Sequence, residues 1–271
     1  SSGWYETALD PRPPRPAMTR VRRLRSTASS LCAPACVFTL LAVCLLVAAP
    51  RGAVGQTTIF NEPFDDKSQF TVTQGAIGSG GDGDYFLVDD GNSINKDYSE
   101  FNGSFLAGQD TDAVPGGGAP VQIEWTGIDI SNETGLSFTG SFGEVLDGDG
   151  DIDDNDFLRI EYRIDGGGWQ NLIAFRNDGS QYNDDFREDT DFDGVGEGDN
   201  ITSSNGTLFE FTKSISGTGS TLDFRFTAHV NSGDEDFAVD DFSITSSPAV
   251  QFTASSGSVS EADGSTVLTV E

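Results

Sequence analysis

Residues 157–164, FLRIEYRI, constrain the fold more than any other stretch of this chain. Leu158, Ile160, Tyr162 and Ile164 fall on one side of an extended backbone, and Arg159, Glu161 and Arg163 on the other. Successive side chains of a strand point to opposite faces, so a period of two marks a half-buried antiparallel strand. Residues 165–168, DGGG, supply a turn, and 169–176, WQNLIAFR, return as the second arm of a hairpin. The same grammar runs through the rest of the chain. Short runs rich in Phe, Ile, Val and Thr alternate with clusters of Gly, Asn, Asp and Ser, and helical periodicity is nearly absent. Further strands are expected at 70–72, 85–88, 121–125, 136–142, 207–213, 221–229 and 236–245. A set of about nine or ten short strands predicts an all-β chain folded as a two-sheet antiparallel jelly-roll-type sandwich with long acidic loops. The connections 92–120 and 177–205 are long for such a fold, which predicts functional or disordered segments there.

The front of the chain reads differently. Residues 1–17 are rich in Pro and Arg, lack periodicity and precede Met18, the only methionine, as translation from an upstream start would. From Met18, Arg20, Arg22, Arg23 and Arg25 lead into an apolar run at 37–49, VFTLLAVCLLVAA. Ala53-Val54-Gly55 then offers small residues for signal-peptidase cleavage before Gln56. This run is short of the roughly 20 residues needed to span a bilayer, so residues 18–55 are expected to be a secretory signal rather than a retained anchor. The mature chain is then expected to have no transmembrane span. Cys32, Cys36 and Cys44 all lie in the signal, which leaves the exported part without cysteine. A sandwich of about 190 residues buries a core large enough to do without disulfides. The expected localisation is secreted or cell-surface.

Removing residues 1–55 takes away seven arginines, Glu6 and Asp10, leaving 8 basic and 42 acidic side chains and a formal charge of −34. That excludes nucleic-acid binding through a basic groove. It also implies self-repulsion at low ionic strength, relieved by bound divalent cations or a salty medium. With Lys67, Lys96 and Lys213 as its only lysines, the Asp-rich chain fits a halophile's exported protein.

Carboxylate spacing points to calcium. Residues 189–200, DTDFDGVGEGDN, contain D-x-D-x-D-G in Asp189, Asp191, Asp193 and Gly194, the front half of a calcium loop. Alternate carboxylates converge on one ion while the glycine allows a sharp turn. Asn200 stands where an EF-hand has a bidentate Glu, and no helices flank the loop, so the expectation is a loop-type site completed by Glu197 or Asp199. A solvated acidic loop is the plainer alternative. A second run, 147–156, offers Asp147, Asp149 and Asp151 followed by Asp153, Asp154 and Asp156, and reads either as a poorer calcium site or as an acidic hairpin tip. Asp82, Asp84, Asp89 and Asp90 form a weaker group still.

Catalytic arrangements are absent: no nucleophile elbow, zinc-protease, phosphate-loop or CxxC motif occurs. His229, the only histidine, sits at a strand end. Trp125, Trp169 and Tyr162 would stack on sugar rings if they lined a concave sheet, and would otherwise be core or cross-strand residues.

The last expected strand, DFAVDDFSIT, interrupts its alternation at Asp240-Asp241. A buried unpaired carboxylate is costly, and a hard cation would explain the pair. This end and Asn61-Glu62-Pro63-Phe64 near the start resemble the termini of jelly-roll carbohydrate-binding and MAM-like domains. The resemblance implies adjacent first and last strands with a structural calcium between them and carries Glu62 and Asp241 over as ligands; Asp240 is then expected only to face solvent. The middle, from Glu124-Trp125-Thr126-Gly127 to Asp193-Gly194, resembles jelly-roll modules of large secreted bacterial proteins, some with Calx-β repeats and some with an extracellular endonuclease domain. After a boundary at Ser246-Ser247-Pro248, residues 250–271 resemble the opening of a Calx-β repeat, with Val250-Gln251-Phe252 as its first strand and Glu261 at its acidic position. The repeat stops far from complete, so the chain looks truncated there. The expectation is therefore a non-catalytic, calcium-stabilised module at 56–247 of a larger surface protein, binding polysaccharide or cell-surface glycan or serving adhesion. The alternatives are an accessory region of an extracellular hydrolase such as a nuclease, and a structural spacer.

Overall fold

The computed structural model describes residues 55–247, apart from 82, 117–119, 147–151, 181 and 184. The expected signal peptide and Calx-β segment lie outside the described residues. Those described form an all-β jelly-roll sandwich of two antiparallel-rich sheets. No helix among them is long and apolar enough to cross a membrane.

The strands are β1 (Thr57–Glu62), β2 (Thr71–Gln74), β3 (Gly78–Ser79), β4 (Tyr85–Asp89), β5 (Phe105–Gln109), β6 (Val121–Asp129), β7 (Ser137–Val145), β8 (Ile152–Asp153), β9 (Phe157–Ile164), β10 (Gln170–Arg176), β11 (Tyr182–Asn183), β12 (Arg187–Glu188), β13 (Thr202–Ser203), β14 (Phe209–Ser214), β15 (Thr221–His229) and β16 (Asp236–Ser246). One sheet runs β12-β10-β9-β15-β6-β2. The other runs β13-β7-β16-β5-β4-β3, with β14 also on β7 and β1 also on β16. The β13–β7 pair is parallel, and β8 and β11 form a separate short ribbon.

The hairpin expected from FLRIEYRI is β9–β10. Asp165 and Gly166 both take the left-handed conformation, with φ of 50° and 69°, which the tight return requires. The Asp165 carboxylate accepts the backbone N–H groups of Ser220 and Thr221, each at 2.9 Å, tying the turn to the start of β15. Leu158, Ile160, Phe224 and Phe226 face inward from β9 and β15 and are fully buried. Trp125 stacks on Phe224 with centroids 4.4 Å apart, and Phe64, Phe138 and Phe242 pack edge-on around them.

The strand β16 is the spine of the larger sheet. β7 lies along one edge, while β5 pairs with Asp236–Val239 and β1 with the half from Phe242 to Ser246 on the other. The interruption at Asp240-Asp241 is a β-bulge at this handover, with Asp241 at φ 53°. The connection 92–120, expected to be a long functional or disordered loop, contains β5, and its described part also covers the outer side of this sheet. Tyr98 and Phe101 from it pack with Tyr85, Phe105, Ala107, Val145 and Ala238 in a second, smaller core. β5 escapes a period-two reading because all five of its residues are buried, so both faces carry core side chains. Gly108 within it leaves room for Phe237, whose ring lies 2.5 Å from where a Cβ would stand.

Candidate metal loop and the outer face of the six-stranded sheet

The D-x-D-x-D-G loop follows β12. Asp189 is buried at 3 % exposure, and its carboxylate accepts the N–H groups of Asp193 at 3.1 Å and Gly194 at 3.0 Å, which curls the loop back on itself. Asp191 accepts from Asp193 N–H at 3.2 Å, and Asp193 from Val195 N–H at 3.0 Å. Glu197 reaches back to accept the backbone N–H of Thr190 at 2.8 Å and its hydroxyl. Carboxylate oxygens of Asp189, Asp191, Asp193 and Glu197 consequently lie within 4.8 Å of one another. Oxygens around a single calcium at 2.3–2.6 Å are at most about 5 Å apart, so this all-oxygen donor set fits a hard cation. Asp199 stands outside the group and lines a cavity of about 420 Å³ with Glu188, Asn200, Phe211 and Lys213.

Asp147, Asp149 and Asp151 lie outside the described residues. The end of the same run contributes to a second cluster, in which Asp153 and Asp156 converge with Glu235 from the turn before β16. Nothing in the sequence joined Glu235 to this run, because the contact crosses 79 positions of chain. Asp156 and Glu235 are 0 % and 2 % exposed, and burial raises both carboxyls above their ordinary range, with the negative charge of Glu235 raising Asp156 further.

At the junction of β1 and β16, Glu62 is buried. Its carboxylate accepts the N–H of Phe64 at 2.9 Å and the indole N–H of Trp125 at 3.0 Å. The two aspartates of the bulge are placed the other way round from expectation: Asp240 is 4 % exposed, whereas Asp241 faces solvent. At a bulge the alternation slips, which puts Asp240 rather than Asp241 on the buried side. The Asp240 carboxyl is pushed up to about 7, first by burial and then by the charges of Asp241, Asp65 and Glu62. Neither Glu62 nor Asp241 belongs to a group of converging metal-ligand atoms among the described residues.

These raised carboxyls set a pH dependence. A carboxyl with a folded pKa above its unfolded value keeps a proton that the unfolded chain has lost. Its stabilisation is complete below the unfolded pKa and is lost as pH rises through the folded one. For Asp240 the window runs from the ordinary 3.8 to about 7, at about 1.4 kcal/mol per pH unit. In chelator, the melting temperature is expected to fall from about pH 4 to about pH 7. Thermal unfolding followed by circular dichroism checks this, and a melting temperature that rises across the interval contradicts it.

Of the three candidate ligand aromatics, Trp125 and Tyr162 are core residues, 2 % and 4 % exposed. Trp125 offers no ring face to a ligand, and the Tyr162 hydroxyl donates to the Ser216 carbonyl at 3.2 Å. Both point inward because the inner face of each strand is set by the apolar partners opposite. Trp169 is partly exposed on the outer face of the six-stranded sheet, with the guanidinium groups of Arg163 and Arg225 over its ring at 4.4 and 4.2 Å.

That outer face carries an arrangement visible only in register. Directly opposed residues of neighbouring strands share a face. Arg187 opposes Arg176; Ala174, Arg159, Thr227 and Gln122 form one row; Asn171, Glu161, Arg225 and Glu124 form the next; Arg163 opposes Asp223. Every arginine after Arg51 therefore stands on this one face. Arg163 pairs with Asp223 at 2.8 Å, while Arg225 and Arg159 share Glu161 at 2.7 and 3.3 Å. Arg159 and Arg176 both lie over the ring of Phe157, at 5.4 and 4.6 Å. The acidic loop borders this end of the face, since a cavity of about 200 Å³ is lined by Phe157, Arg159 and Arg176 together with Asp189, Phe192 and Asp193.

No protein-family model and no curated protein matches the chain. Among solved structures it is similar to the CBM22-1 xylan-binding domain of Xyn10C from Paenibacillus barcinonensis, at 13% identity over 73% of this chain and 99% of that one, with a TM-score of 0.35. It is similar to the K3 cleaved adhesin domain of Lys-gingipain from Porphyromonas gingivalis, at 12% identity over 70% and 100% of the two chains, with a TM-score of 0.43. It is also similar to the mannan-recognising carbohydrate-binding module TmCBM27, at 9% identity over 71% and 98%, with a TM-score of 0.37.

Proposed function

We propose that residues 56–247 form a non-catalytic, extracellular, calcium-stabilised module that binds glycan, within a surface or secreted protein adapted to salt. The observation that carries the reading is the juxtaposition of a hard-cation donor set with a sheet face that keeps Trp169 and a row of polar side chains within reach of solvent. Asp189, Asp191, Asp193 and Glu197 would hold calcium, which would replace mutual repulsion of four carboxylates with attraction and lock the loop against β10 and β12. Trp169, with its indole braced by two guanidinium groups, would present a rigid platform to a sugar ring.

Two measurements test the reading. Calcium titrated calorimetrically into chelator-treated protein is expected to give saturable heat. At calcium about 100-fold above its dissociation constant it is expected to stabilise the fold by about 2.7 kcal/mol. The double variant Asp189→Asn/Asp193→Asn is expected to lose both effects, and absence of heat and of thermal stabilisation in the parent protein removes calcium from the proposal. A glycan array probed in calcium is expected to show binding that Trp169→Ala weakens. No binding to any glycan would leave a structural spacer as the better reading.

A further inference from the structure

We propose that the groove where the outer face of the six-stranded sheet meets the acidic loop binds a carboxylate- or sulfate-bearing unit of an anionic polysaccharide, held by the guanidinium groups of Arg159 and Arg176. The inference rests on the glycan-binding reading and narrows its ligand class.

The charge of the groove argues for an anion. Arg159 and Arg176 crowd one end of the face, and Glu161, which Arg159 shares with Arg225, is the only carboxylate forming an ion pair with either of them among the described residues. Arg176 makes no ion pair there; its guanidinium donates to the Asp156 carbonyl at 3.3 Å. Burial and the neighbouring charge of Arg159 lower the Arg176 guanidinium from its ordinary value, opposed in part by the carboxylates of Asp189 and Asp156. Phe157 holds the two guanidiniums on its ring, so their positions are set before a ligand arrives. Planar guanidinium forks match carboxylate and sulfate oxygens in a way that lysine would not, and no lysine stands on this face.

Shape and setting agree with a sugar. The cavity, about 200 Å³, is smaller than the clefts that enclose drug-sized ligands and suits one ring of a longer chain. Phe192 forms part of its lining, 40 % exposed and in a left-handed conformation at φ 62°, and offers an apolar face to a pyranose. Asp189 and Asp193 form the opposing wall, but their oxygens already accept the N–H groups of Asp193, Gly194 and Val195. A divalent cation on the loop would offset two of the four carboxylate charges of Asp189, Asp191, Asp193 and Glu197, which lowers the repulsion an anion meets, so cation and anion would each favour the other's binding. Elsewhere the excess of acidic side chains repels a polyanion, which confines the contact to this face.

The test titrates polygalacturonate and dextran sulfate into the purified protein by calorimetry, in calcium and in chelator, with uncharged xylan and mannan alongside. Binding to one of the polyanions, tighter in calcium and weaker as salt is raised, is the expected result; which of the two binds more tightly tells carboxylate from sulfate. Arg159→Gln and Arg176→Gln are each expected to weaken it about tenfold or more, and Lys67→Gln, on an exposed loop, to leave it unchanged. Circular dichroism checks that the arginine variants remain folded. If they do not, Phe192→Ala at an exposed position carries the test with a several-fold loss. Polyanion binding that survives all three groove substitutions overturns the inference. Binding of xylan or mannan as tightly as the polyanions overturns it while leaving the glycan reading in place, and binding of none of the four removes both.

Discussion

Replacing Lys96 with Met is expected to destabilise the protein by about 3–5 kcal/mol, because it strands a carboxylate in the interior. Asp236 opens β16 and is completely buried, with the ammonium of Lys96 2.9 Å from its carboxylate. The Tyr98 hydroxyl and the Val145 N–H, the latter at 3.1 Å, donate to its other oxygen. Burial raises the Asp236 carboxyl above its ordinary value, and Lys96 is the strongest influence opposing that rise, so the cation favours the ionised form. Without Lys96, Asp236 must take up a proton or break into the core beneath segment 92–104. The double variant Lys96→Met/Asp236→Leu is expected to recover most of the loss, since an apolar pair spares both desolvation costs. Urea unfolding measures both. A single-variant loss below about 1 kcal/mol would mean that solvent reaches this network.

Trp125→Ala is expected to cost a similar 3–5 kcal/mol, the range for removing a large buried aromatic. Its ring meets Phe60, Phe64, Phe70, Phe224 and Phe242, and its indole N–H satisfies buried Glu62. Trp125→Phe separates the two roles. It keeps most of the packing and leaves Glu62 one donor short, for a loss of about 1–3 kcal/mol. Equilibrium unfolding checks the values. Trp125→Ala that unfolds at the parent denaturant midpoint but no longer binds glycan would return Trp125 to the ligand surface. Trp169→Ala is expected to behave in the opposite way, with binding weakened and stability little changed.

Residues that the sequence marks by pattern are found where the pattern predicts. β9 and β15 have the expected bounds, because period-two alternation is written wherever one face of a strand is buried and the other is not. β5 carries no such mark, since its second face is buried by Tyr98 and Phe101 from the turn just before it together with Tyr85, Val145 and Ala238 from other strands. The D-x-D-x-D-G spacing brings Asp189, Asp191 and Asp193 together by local geometry alone, and Glu197 joins them within one further turn. Asp156 and Glu235 meet only through the fold. At Asp240 and Asp241 a break in alternation was legible, but which aspartate turns inward depends on the bulge and on where β5 gives way to β1.

By itself, then, the sequence determines the strand grammar, the all-β class and the convergence of carboxylates in the acidic D-x-D-x-D-G loop, all of which are properties of residues near one another along the chain. Tertiary structure alone decides that Trp125 and Tyr162 are core while Trp169 is not, because a ring's exposure depends on what packs opposite it. It likewise decides that five arginines drawn from β9, β10, β12 and β15 share one face of an otherwise acidic domain. That is a consequence of strand register, which no single segment of the chain contains.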